Sequence, residues 1–219
     1  PGASPFYQSL DGHWKFHWVA DERRRLTDFH RVNYQDADWD SLPVPANWQL
    51  HGYGYPIYVN QSYAFQSKNP PYIPDGINEV GAYRKWVTVD PSWTDRAIIL
   101  HLGAVNSAFY CWVNGQKVGY AQGGKTPVEF DVTPYMKAGQ NLIALEVYRY
   151  SDGSYLQCQD YWRMSGVERS VYLYSRPKTH LADVALHPHL VQNHRQGRLE
   201  ATLTFEGPQA LDLELLVKV

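Results

Sequence analysis

An all-β sandwich is the fold this sequence predicts, and three observations predict it. Apolar and polar residues alternate with a period of two along most of the chain, as they do on half-buried strands. Asn114-Gly115 follows an aromatic-rich run, and this dipeptide suits a type I′ hairpin because both central residues need positive φ. The helical signal is confined to one turn. Short strands separated by turn signals argue for a two-sheet sandwich.

The elements follow in chain order. Residues 13–18 alternate like a strand. Residues 83–89, 97–102 and 107–113 are further strands of ordinary length. The return strand of the hairpin covers residues 116–120. Residues 133–139 suit a single helical turn, with Thr133 as N-cap, Pro134 in the first position and Gly139 as the left-handed stop. Residues 142–148 form an apolar-faced strand, and residues 170–174 another. Two stretches resist the strand reading. Residues 47–74 are rich in Tyr, Gly, Pro and Asn. Residues 151–166 are equally irregular, yet carry Asp152, Asp160, Tyr161, Trp162 and Arg163. Long irregular loops in a compact domain are often functional, so a site is sought there first.

A boundary falls near Arg176-Pro177-Lys178-Thr179, which divides the chain into residues 1–178 and 179–219. Beyond it Leu199, Ala201, Leu203 and Phe205 share one face, and Gly207-Pro208 turns the chain. A strand starts at Leu211 and runs to Val219. A few strands cannot make a sandwich of their own, so the reading expects a longer polypeptide.

Composition excludes several function classes. The chain has 219 residues, 44% hydrophobic and 19% charged, which marks it as globular rather than disordered. Net charge is -2 with mixed signs, so no basic stripe offers itself to nucleic acid. Arg23-Arg24-Arg25 follows Asp21-Glu22 and reads as a solvated loop or short helix. No apolar run is long enough to span a bilayer, and no signal-peptide pattern opens the chain. The two cysteines, Cys111 and Cys158, form neither a disulfide framework nor a metal site, which suits a reducing, cytoplasmic setting. Aromatics reach 15%, a level that serves sheet packing and can also serve a carbohydrate-facing surface.

Motif searches give little chemistry. His13 and His17 share a strand face but lie too far apart to ligate one ion, and none of the nine histidines, His187 and His189 included, is assigned to a metal. No nucleophile elbow is present. Gly123-Gly124-Lys125-Thr126 ends like a phosphate loop but lacks its first glycine. Asp152 and Asp160 are candidate carboxylates whose convergence the sequence does not fix. The residues alone reach a β-sandwich with two long polar-aromatic loops that bind a polar ligand.

Three runs carry a resemblance. Residues 151–167 (SDGSYLQCQDYWRMSGV) resemble the corresponding loop of long bacterial β-galactosidases of glycoside hydrolase family 2. So do residues 44–53 (VPANWQLHGY) with 55–60 (YPIYVN). So do residues 103–109 (GAVNSAF) with WVNG at 112–115 and VGY at 118–120. The matches keep one order over roughly residues 5–180, and the tail from Leu181 resembles the family's next domain more weakly.

The resemblance implies a jelly-roll sugar-binding domain over residues 1–178. It implies that residues 179–219 open an incomplete immunoglobulin-like domain. It also implies a parent that hydrolyses terminal β-galactosides with retention, using glutamates on a later TIM barrel. No motif here resembles those glutamates, so no catalytic residue is assigned and the chain alone is expected to be inactive. The residue matching Asp160 binds a sodium ion and, with it, sugar hydroxyls; a carboxylate is a hard ligand that accepts strong hydrogen bonds. The residue matching Asn60 hydrogen-bonds galactose, and its amide both donates and accepts. Gln61 matches a position lining the same pocket, where the family has valine. Gln122 and Asp152 match ligands of a peripheral divalent cation, magnesium in the full-length enzyme. The implied partners are a galactoside, the downstream domains and further copies of the full-length chain. Trp162 and Arg163 are expected to order the loop rather than touch sugar. The competing readings are a free-standing carbohydrate-binding module, a purely structural domain, and the same region of a β-glucuronidase or β-mannosidase.

Overall fold

The computed structural model describes residues 4–60, 62–66 and 69–208. Seventeen strands are present among them. The first are β1 (Tyr7–Ser9), β2 (Gly12–Val19), β3 (Asp40–Val44), β4 (Ala46–Asn47), β5 (Ile57–Val59) and β6 (Val80–Val89). Then come β7 (Ala97–Leu102), β8 (Val105–Asn106), β9 (Ala108–Val113), β10 (Gln116–Gln122), β11 (Val128–Asp131) and β12 (Gly139–Tyr148). The last are β13 (Tyr161–Arg163), β14 (Gly166–Val167), β15 (Val171–Arg176), β16 (His180–Val191) and β17 (Gln196–Glu206). The only α-helix among the described residues is one turn, α1 (Gly153–Leu156).

Two antiparallel sheets make the jelly-roll sandwich the sequence predicts. One has the order β1-β15-β7-β11, the other β10-β9-β12-β6-β2-β3. Their inner faces meet in a core that includes Trp14, Phe16, Trp48, Tyr83, Leu100, Phe109, Leu145 and Leu173, all essentially buried. The alternation of β12 explains its place. Ile143, Leu145 and Val147 enter this core, while Ala144 joins a second cluster with Phe29, Trp39 and Ala82 on the far side of the sheet. That second cluster exists because the irregular segment 20–39 folds over the outer face. Arg84 holds it there, donating to the Asp36 carboxylate at 2.7 Å and to the Arg31 carbonyl at 2.9 Å.

The hairpin β9–β10 turns on Asn114 (φ 51°) and Gly115 (φ 83°), both left-handed as a type I′ turn requires. Asn114 adds its side chain, accepting from Leu142 N–H at 2.9 Å and donating to the Tyr135 carbonyl at 2.9 Å. The predicted helical turn is a 3₁₀ turn, Thr133–Tyr135, and its N-cap is Val132 rather than Thr133. Thr133 does not cap because its hydroxyl is committed to Ile98 N–H. The Asp131 carboxylate accepts from Thr133 N–H at 2.9 Å, while the Thr133 hydroxyl accepts from Ile98 N–H at 2.8 Å. Gly139 is left-handed (φ 85°) but opens β12 instead of stopping a helix. Glu22–Arg24 form a short exposed 3₁₀ turn, within the predicted alternatives.

Beyond Pro177 the chain forms the hairpin β16·β17, paired from His180↔Glu206 to Val191↔Gln196. The strand expected over residues 211–219 lies outside the described residues.

Candidate functional site

The two irregular stretches meet. β5, from the first, pairs antiparallel with β13, from the second, in the register Tyr161↔Val59, Trp162↔Tyr58 and Arg163↔Ile57. This two-stranded ribbon belongs to neither sheet of the sandwich. Asn60 follows β5 and Asp160 precedes β13, so the two adjoin the same end of the ribbon. Tyr58 and Trp162 are paired across it and share one side. The Tyr58 hydroxyl donates to Asp160 Oδ1 across it at 2.5 Å. That bond to a carboxylate pushes the Tyr58 phenol above its ordinary pKa of 10. Asn60 and Asp160 are both exposed, and so are the rings of Tyr58 (52%) and Trp162 (53%), which touch each other with centroids 5.6 Å apart. The outcome is a row of carboxylate, amide and two aromatic rings facing solvent. Such a row can accept from hydroxyls, donate to them and cover the apolar face of a pyranose. Gln61 lies outside the described residues.

Several side chains hold this row in place. Arg163 donates to the Gln157 carbonyl at 2.9 Å and to the Gln159 carbonyl, tying down the turn that presents Asp160. Arg163 therefore orders the loop, as the sequence suggests. The Trp162 indole is half exposed and packs on Tyr58 across the ribbon. The Cys158 thiol donates to the Ser62 carbonyl at 3.1 Å, and the Tyr155 hydroxyl to the Tyr72 carbonyl at 2.7 Å. The rings of Tyr63, Phe65 and Tyr155 pack edge to face between the two stretches.

Underneath lies a buried ion pair that the sequence did not single out. Arg149, at the end of β12, pairs with Glu79, and their side chains are 2% and 8% exposed. The same guanidinium donates to the Tyr55 carbonyl at 2.9 Å and to the Arg163 carbonyl at 3.2 Å, one on each stretch. Glu79 also accepts from the indoles of Trp48 at 3.1 Å and Trp18 at 3.4 Å. Gly54 is left-handed (φ 66°), and a Cβ there would meet Glu79 Oε2 at 2.6 Å. A glycine is therefore required where the loop passes the carboxylate. The available signal was the placement of Arg149 two residues ahead of the run at 151–167.

The implied cations fit this chain only in part. Asp160 supplies one hard oxygen, and among the described residues no cluster of three or more His, Cys, Asp or Glu could hold a metal. The carbonyl oxygen of the Gln122 side chain already accepts from Tyr120 at 2.7 Å, and Asp152 caps Gly153 N–H at 2.8 Å. Neither Asp160 alone nor Gln122 with Asp152 closes a coordination shell.

Residues 7–177 match the family model of the glycosyl hydrolases family 2 sugar binding domain. The chain belongs to that family. Among curated relatives of this family 2 domain, a β-galactosidase of Priestia megaterium (strain DSM 319 / IMG 1521) is 42% identical over 203 residues, covering 91% of this chain and 20% of its own length. A β-galactosidase of Yersinia pestis bv. Antiqua (strain Angola) is 46% identical over 207 residues, covering 94% and 19%. The chain thus spans about a fifth of the length of these relatives. Among solved structures, a β-glucuronidase from Ruminococcus gnavus in complex with D-glucaro-d-lactam superposes with a TM-score of 0.70 at 19% identity, covering 95% of this chain and 36% of its own. A β-glycosidase from Bacteroides vulgatus gives 0.66 at 23% identity, covering 93% and 24%. At these identities the structural matches establish the shared fold. Among the described residues no helix is long and apolar enough to cross a membrane.

Proposed function

We propose that this family 2 sugar-binding domain is the amino-terminal part of a retaining β-galactosidase and lines its galactose pocket. One observation supports the reading: the β5·β13 ribbon joins two stretches a hundred residues apart in sequence, and exposed Asn60 and Asp160 adjoin the same end of it. Asp160 accepts from sugar hydroxyls and offers one oxygen to sodium. Asn60 donates and accepts, and the Tyr58–Trp162 rings wall the sugar's apolar face. Gln61 borders the same pocket. Gln122 and Asp152 give two of the oxygens for a peripheral magnesium ion in the full-length enzyme. The cleaving glutamates belong to a downstream barrel against which this domain packs, in a cytoplasmic homo-oligomer. Residues 179–219 open the next, immunoglobulin-like domain. The β-galactosidase relatives, at 42% and 46% identity, support galactosides over glucuronides or mannosides.

The test uses the longer protein with its barrel. Asp160→Ala is expected to remove sodium dependence and lower turnover of a chromogenic galactoside, while leaving the domain folded. Kinetics and sodium dependence equal to the parent's would overturn the assignment. The 219-residue chain alone is expected to release no chromophore. Galactose binding by this chain at millimolar concentration or tighter, measured by calorimetry, would instead favour a free-standing module.

A further inference from the structure

On the four-stranded sheet, away from the ribbon, a second surface combines charge and aromatic rings. Outward residues of β1 and β15 place Tyr7, Tyr172 and Tyr174 side by side, with centroids 5.0 Å apart for Tyr7–Tyr172 and 6.2 Å for Tyr172–Tyr174. Beside these rings runs a cleft of about 430 Å³ that Arg96, Arg176 and Glu129 also line. This is within the size range of small-molecule sites, roughly 300–1,000 Å³.

The charges of this cleft are unbalanced. Neither Arg96 nor Arg176 forms an ion pair among the described residues. Arg96 is nonetheless fixed. It donates from Nε to Ser175 Oγ at 2.8 Å and from Nη2 to the Ser175 carbonyl at 3.1 Å, and it lies 3.7 Å from the Phe6 ring centre. Among the described residues, its remaining terminal nitrogen has no hydrogen-bond partner, and neither does the buried Nε of Arg176. Glu129, the one carboxylate in the lining, is spent on its own neighbours. It accepts from the Tyr174 hydroxyl at 3.0 Å and lies 2.9 Å from His101 Nδ1. The lining therefore carries two guanidinium groups against one carboxylate, an excess of positive charge in a chain of net charge -2.

We propose that this cleft is a second binding site, separate from the ribbon, for a sugar that carries a carboxylate. The guanidinium groups of Arg96 and Arg176 take the carboxylate, since a planar fork matches its two oxygens. The tyrosine rings take the carbon-bound face of the pyranose. Both contacts are needed, which separates this ligand from a neutral sugar and from a simple anion.

The probe is sodium D-glucuronate, titrated into the 219-residue chain at low ionic strength and followed by amide NMR. Glucuronate is expected to shift the amides of Tyr7, Arg96, Tyr172 and Arg176. Methyl β-D-galactoside and sodium acetate at equal concentration are expected to bind there at least tenfold more weakly. Arg176→Gln is expected to weaken glucuronate at least tenfold, and Arg176→Lys severalfold, because charge survives but the fork does not. Asp160→Asn is expected to change nothing at this site, so its result is independent of the galactoside reading. Glucuronate binding that leaves these amides unmoved, acetate binding as tightly, or an Arg176→Gln chain that folds and binds as before would each overturn the proposal.

Discussion

Replacing Arg149 by methionine tests whether one buried guanidinium supports the ribbon. The substitution keeps the side chain's bulk and removes its charge. Glu79 is then left as a buried carboxylate, with only the Trp48 and Trp18 indoles donating to it. Removing one partner of a buried ion pair costs about 3–5 kcal/mol, because the other charge remains desolvated. The two indole donors set the expectation toward the lower end, and the lost bonds to the Tyr55 and Arg163 carbonyls raise it by about 1 kcal/mol each. The expected loss is therefore about 3–5 kcal/mol overall, or roughly 6–20 °C in Tm for a chain of this size. Urea denaturation measures the total, and hydrogen exchange measures where it falls. Protection at residues 57–59 and 161–163 should drop well before that of β6 and β12. The double variant Arg149→Met, Glu79→Leu should recover much of the stability, since no stranded charge remains. A loss under about 1 kcal/mol, or a uniform loss of protection across the sandwich, would refute the argument.

Three other outcomes follow from burial and capping. Glu146 sits on the outer face of β12, where burial raises its carboxyl above the ordinary 4.5. The folded state then holds a proton that the unfolded chain gives up, so stability falls as pH rises through the folded pKa. Glu146→Gln should therefore gain stability relative to the parent at pH 7 and lose that advantage below about pH 4, by calorimetry across that range. Burial likewise pushes the Cys111 thiol up, whereas Cys158 is half exposed. A thiol reagent should titrate one cysteine in the native chain and two in denaturant, and rapid modification of Cys111 in the folded state would contradict the core assignment. Asp131→Ala should cost about 1 kcal/mol by loss of the cap on Thr133, read as a lower urea midpoint at unchanged slope.

The sandwich was legible because its strands announce themselves locally. Ala97–Leu102 is the predicted strand residue for residue, and Asn114-Gly115 turns where its preference for positive φ requires. The covering segment 20–39 was not legible. Its Phe29, Trp39 and Tyr34 are too irregularly spaced for a period-two or helical pattern, and only the sheet face beneath gives them a shared environment. The Thr133 expectation failed for a related reason, because its hydroxyl is engaged by Ile98 N–H, 35 residues away in sequence. For the candidate site, irregularity pointed to the two stretches that pair as β5·β13, and the family resemblance picked out Asn60 and Asp160. The pairing of the two stretches could not be read from strands of three residues embedded among Tyr, Gly and Pro. Tyr58 and Arg149 were missed because each acts through a partner about seventy to a hundred residues away.

Because β5 and β13 bond to each other and to neither sheet, the ribbon shares no ladder with the sandwich and is held to it from beneath by Arg149. Residues can be inserted or exchanged at its tip without breaking a ladder of the sandwich, so the scaffold tolerates variation there at little cost to its own folding. A lineage could thus rewrite the exposed side chains of the ribbon with the architecture beneath them inherited intact.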